Sequence, residues 1–61
     1  MTILHFRNHL IIIKNTSTFK EFPWEWEVID DENDFIDSGI AKTRKLALND
    51  AILLVDYWES M

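Results

Sequence analysis

Apolar side chains recur at helical spacing toward the end of the chain and alternate at strand spacing before it. Winding the chain from Lys42 at about 100° per residue places Ala47, Leu48, Ala51, Leu54, Val55 and Trp58 on one broad face, with Ile52 at its edge. That is the pattern of a helix laid on a core. Thr43 is the expected N-cap, because its hydroxyl accepts an N–H of the first turn, while Gly39 and Ile40 still read as extended chain. Leu46 stands where a capping box has Glu or Gln, so the cap is partial. On the far side Lys45, Asn49, Asp56 and Ser60 form a polar strip. Beyond it Leu46, Leu53 and Tyr57 form a second apolar strip, interrupted by Asp50. A lone surface helix has no use for two apolar strips, so either the rest of the chain wraps it or a second molecule covers it.

Residues 2–14 alternate as one long strand, with Leu4, Phe6, Leu10 and Ile12 on one face and Ile3, His5, Arg7, His9, Ile11 and Ile13 on the other; Asn8 is an irregularity. The alternative is two short strands broken at Asn8-His9, a weaker hairpin signal than Asn-Gly. Residues 15–18 are a polar turn cluster, and Pro23 suits the first position of the next strand, where its missing N–H does least harm. Residues 24–29 form a clear strand, with Trp24, Trp26 and Val28 facing inward. After a polar loop at 30–34, residues 35–41 return. A five-residue loop implies the pairs Val28 with Ile36, Trp26 with Ser38 and Trp24 with Ile40, and sets Glu27 opposite Asp37. Two inward indoles against Ala47 and Ala51 is large against small, the way close packing is reached.

The expected architecture is therefore α+β: a three-stranded antiparallel β-meander followed by one C-terminal α-helix packed on one face, a single small domain over residues 1–61. A chain of this size buries only about 60% of its unfolded surface, so the core must be rich. At 48% hydrophobic and 13% aromatic, it is.

Charge adds a feature that the periodicity hides. The net charge is −5, but residues 1–20 carry Arg7, Lys14 and Lys20 with no acid, residues 21–37 carry eight acids and no base, and three of each follow. An acidic balance disfavours non-specific contact with nucleic acid or anionic membrane. The longest apolar run, residues 10–13, is far short of the roughly 20 residues that cross a bilayer, and no signal peptide is expected. The absence of cysteine excludes disulfides and thiolate chemistry and suits a reducing cytoplasm.

Candidate chemistry is sparse. Asp30, Glu32 and Asp34 have the alternate spacing of the first calcium ligands of an EF-hand, but Phe35 and Ala41 stand where that loop needs Gly and Glu. His5 and His9 on one strand lie roughly 13 Å apart, too far to share a metal. No nucleophile with an oriented base is recognisable, so neither enzyme activity nor a metal or cofactor is expected. Lys42, Arg44 and Lys45 run against the helix macrodipole. They are a candidate phosphate contact together with the free N–H groups of the first turn, or they reach outward toward the acidic hairpin.

These cations carry a family likeness. Gly39, Lys42, Thr43, Arg44, Lys45, Ala47 and Ala51, with the hairpin before them, resemble the β-β-α end of double-stranded RNA-binding domains over residues 24–58. The resemblance implies an antiparallel sheet with helices on one face and phosphate contacts from Arg44 and Lys45. Leu48 replaces the family's further lysine, and no first helix precedes the sheet. The element order also resembles the partial form of that fold in HicB-type antitoxins, which bind a small toxin. The expected role is a small non-enzymatic interaction module, forming a homodimer or covering another protein. Its candidate surfaces are Leu46, Leu53 and Tyr57 on the helix, an uncovered sheet face, or the outer face of the first strand with Ile3, Ile11 and Ile13. Duplex RNA binding through Lys42, Arg44 and Lys45 is one alternative. The other is an acidic decoy, residues 21–37, for a basic nucleic-acid-binding protein.

Overall fold

A computed structural model describes residues 1–16 and 19–61. Its elements in chain order are β1 (Thr2–Phe6), β2 (His9–Asn15), β3 (Trp24–Asp30), β4 (Phe35–Ala41) and α1 (Arg44–Glu59). The strands form one antiparallel sheet in the order β1-β2-β3-β4, a meander with the helix packed against β2, β3 and β4. The α+β class and the C-terminal helix agree with the sequence pattern, but the sheet has four strands instead of three. The polar turn expected at residues 15–18 lies partly outside the described residues.

The extra strand comes from a tight turn. Phe6 pairs with His9, leaving only Arg7 and Asn8 in the loop, and both have positive φ, 50° and 65°. Two successive left-handed residues are the type I′ geometry whose twist matches a hairpin. Asn adopts that conformation at low cost; Arg does so less readily. A two-residue loop also inverts the faces: Thr2, Leu4 and Phe6 of β1 now share a side with His9, Ile11 and Ile13 of β2. Ile11 and Ile13 are accordingly buried, whereas continuous alternation put them on the outer face with Ile3.

The second hairpin also departs from the expected register. Trp24, Trp26 and Val28 stand opposite Ala41, Gly39 and Asp37, one residue away from the expected partners, and the ladder shifts between Val28 and Ile29, where Ile29 meets Phe35. Ile36 is the extra residue of this bulge. The bulge reconciles two demands that a regular ladder cannot meet together. Ile36 still packs against the core, while Gly39 comes to lie opposite Trp26. A Cβ at residue 39 would come within 2.6 Å of the Trp26 ring, so the indole occupies space that only glycine leaves open. The loop before β4 is held by Asp30, whose Oδ1 accepts the N–H groups of Glu32 and Asp34, with Asn33 at φ 68°.

The helix begins as its sequence implies: Thr43 is extended, and its Oγ1 accepts the N–H of Leu46 at 3.1 Å. Ala47, Ala51 and Val55 are fully buried against a cluster containing Ile11, Ile13, Trp26 and Val28. Leu48, Ile52 and Leu54 flank them half-buried, but Trp58, expected in the core, is 44% exposed at the end of the helix. The outer strand β1 is tied to the helix by side chains. Arg7 reaches Asp56 at 2.6 Å and Arg44 donates to the Thr2 hydroxyl at 3.1 Å.

Two substitutions test these local constraints. Gly39→Ala is expected to cost about 1–3 kcal/mol through overpacking against Trp26, read as a lower midpoint in urea denaturation. Asn8→Gly is expected to be tolerated, and Asn8→Val to cost about 1–2 kcal/mol at its left-handed position; equal melting temperatures for the two would contradict the turn.

Candidate functional site

With the helix on one side of the sheet, the opposite side is open. Alternation through the observed register assigns to it Ile3 and His5 of β1, Leu10, Ile12 and Lys14 of β2, Glu25, Glu27 and Ile29 of β3, and Phe35, Ser38 and Ile40 of β4. These side chains fall into rows across the strands. Lys14, Glu25 and Ile40 form one row; Ile3, Ile12, Glu27 and Ser38 the next; and His5, Leu10, Ile29 and Phe35 the third. Phe35 is 61% exposed and Ile3 56%, with Ile40 also exposed and Leu10, Ile12 and Ile29 half-buried. One ion pair spans the face, Lys14 Nζ to Glu25 Oε1 at 3.1 Å.

The helical strip Leu46, Leu53 and Tyr57 is exposed as its periodicity implies. It is narrow, and Asp50 lies within it. Of the outer-strand candidates only Ile3 reaches a surface. Leu10, Ile12, Ile29, Phe35 and Ile40 take the place of Ile11 and Ile13. Reading residues 2–14 as one strand hid Leu10 and Ile12, and the regular register expected of the second hairpin hid Ile40. The Asn8-His9 break carried the signal.

Lys42, Arg44 and Lys45 are all exposed at the start of the helix. Arg44 is engaged by Thr2, and Lys42 stands 5.9 Å from the Phe22 ring centroid, a cation–π distance. The two histidines are separated by the sheet itself: His5 belongs to the open face and His9 to the helix side. His9 is 4% exposed; its Nδ1 lies 2.8 Å from the Arg7 carbonyl and 3.5 Å from Glu59 Oε1. A carbonyl only accepts, so Nδ1 donates to it, and Nε2 is buried without a hydrogen-bond partner among the described residues. A cleft of about 250 Å³ at this end of the sheet is bordered by His5, Asn8, His9, Leu10, Asp30, Asp31 and Asn33. Among the described residues no three His, Asp or Glu side chains come together in a geometry that would hold a metal ion. No helix of the described residues is long and apolar enough to cross a membrane.

Compared with known proteins, the chain matches no family model, no curated protein and no solved structure.

Proposed function

We propose that this chain is a small, non-enzymatic protein-interaction module that presents the open face of its sheet to another protein surface. The observation that carries this reading is the apolar array Ile3, Leu10, Ile12, Ile29, Phe35 and Ile40 on the side of the sheet that no helix covers. An antiparallel sheet with one solvated face ordinarily alternates apolar inward and polar outward. Here the outward positions are as apolar as a second inner face. Contiguous exposed apolar surface on a small protein marks an interaction site. The open face is broader and flatter than the helical strip, which Asp50 interrupts.

The test is capture of partners from an extract of the source cells, with the natural chain and three variants as bait. Ile12→Glu combined with Phe35→Glu alters only side chains that point away from the core, so the melting temperature is expected to stay within a few degrees. Proteins retained by the natural chain are expected to be lost with this variant and kept with Leu53→Glu. Loss with Leu53→Glu alone would move the interface to the helix. Retention of duplex RNA at low salt that vanishes with Arg44→Glu and Lys45→Glu would favour the nucleic-acid reading instead.

A further inference from the structure

Resting on the reading of the open face as an interface, we infer that its occupant is a second copy of this chain, packed sheet on sheet about a two-fold axis parallel to the strands. Two sheets packed face to face sit about 10 Å apart with their strands nearly aligned. Only two in-plane two-fold axes achieve this, and the charges on the face distinguish them.

An axis along the strands reverses strand order and keeps the rows in place. Each β2 then lies over the other copy's β3. Lys14 of one copy faces Glu25 of the other, twice by symmetry, Leu10 faces Ile29, and Ile12 covers Glu27. An axis across the strands keeps strand order and reverses the rows. It sets Lys14 over Leu10, Glu25 over Ile29, and Glu27, which lies in the middle row and has no ion pair among the described residues, directly over its own copy. The second arrangement confronts like charges at its centre and leaves Lys14 and Glu25 over apolar neighbours, a costly burial. The first also covers Glu27 with Ile12, a burial cost of its own, but it opposes no like charges, and the complementarity of Lys14 and Glu25 selects it.

The helical strip is a poorer self-complementary surface, because an antiparallel pairing about its midpoint brings the two Asp50 carboxylates together. Edge-to-edge pairing through β4 is opposed by its bulge and by Asp37. Strands of five to seven residues, rising about 3.3 Å per residue and spaced about 4.8 Å, make a face on the order of 15 by 20 Å. That is roughly 300 Å² per copy, below the size of a standard specific interface, so the dimer is expected to be weak, dissociating at micromolar or higher concentrations.

The experiment is sedimentation equilibrium of the natural chain, of Lys14→Glu, of Glu25→Lys, and of an equimolar mixture of the two variants. The natural chain is expected to dimerise, and each variant alone to dimerise more weakly by roughly tenfold or more, since like charges then face each other twice. In the mixture both pairs are opposite in sign, so heterodimers are expected to form with near-natural affinity. One variant lowers the net charge from −5 by two and the other raises it by two, so both chains stay acidic and bulk attraction cannot produce the rescue. A dimer that persists in both variants, or is lost in both without rescue in the mixture, overturns the geometry. A natural chain that stays monomeric at several hundred micromolar overturns the second copy as occupant. Partner capture that still depends on Ile12 and Phe35 would leave the interaction module itself standing.

Discussion

One helix faces a four-stranded sheet, and the rest of the structure follows from that imbalance. A helix is about 10–12 Å across, while four strands at about 4.8 Å spacing present two faces, each wider than that. The helix therefore covers one side only, over β2, β3 and β4. It fits closely because Ala47 and Ala51 leave room for Trp26 and the isoleucines of β2. The sheet contributes in the same way: Gly39 leaves room for the Trp26 ring, which a Cβ there would meet at 2.6 Å. The core is built from a few large side chains set against the smallest ones available. That is an economical arrangement for 61 residues, and among the described residues no second helix covers the other face.

The outermost strand shows where this arrangement is stretched. β1 lies at the edge of the helix's reach, and its helix-side residue Leu4 remains partly exposed. Phe6 packs half-buried against the core, and polar attachments sit at the two ends of the strand, Arg44 with Thr2 and Arg7 with Asp56. Exposed pairs of this kind contribute about 0–1 kcal/mol each. The backbone ladder to β2 and the tight turn therefore do most of the work of holding β1 in place. The turn also orders the buried His9, whose Nδ1 meets the Arg7 carbonyl.

The helix was legible in the sequence down to its cap, because helical periodicity sustained over 16 residues with Thr43 before it has few competing readings. The strand 24–29 was legible for the same reason, since alternating Trp, Glu and Val fit only a strand with one buried face. The first hairpin was legible only as the alternative break at Asn8-His9, because its turn residues are Arg7 and Asn8 instead of a glycine pair and alternation favours one continuous strand. That concealment had a large consequence: the faces invert across the turn, so Ile11 and Ile13 exchanged places with Leu10 and Ile12. The bulge at Ile36 was hidden by a different cause. Register inferred from hydrophobic matching assumes a regular ladder, whereas the space needed by Trp26 is satisfied only by Gly39. Of the candidate surfaces, the helical strip was legible, Ile3 was legible, and the centre of the open face was not.

The charge segregation along the chain takes on meaning once the hairpins lie side by side. Lys14 is the one lysine or arginine within β1 and β2, while Glu25, Glu27, Asp30 and Asp37 lie on β3 and β4, so the acidic side chains gather on one half of the sheet. At the boundary of that half Lys14 meets Glu25 within the chain. A pair this exposed adds little stability to a single copy. Between two stacked copies, the same two residues and their symmetry mates form a square of alternating sign, in which every charge has an opposite neighbour both beside it and across the interface. Covering the face strengthens these interactions by lowering the local dielectric, and it would penalise any arrangement that left one of the four charges alone. In such a dimer the apolar rows supply affinity in proportion to their modest area. On that proposal the charges would decide which way round the second sheet is laid.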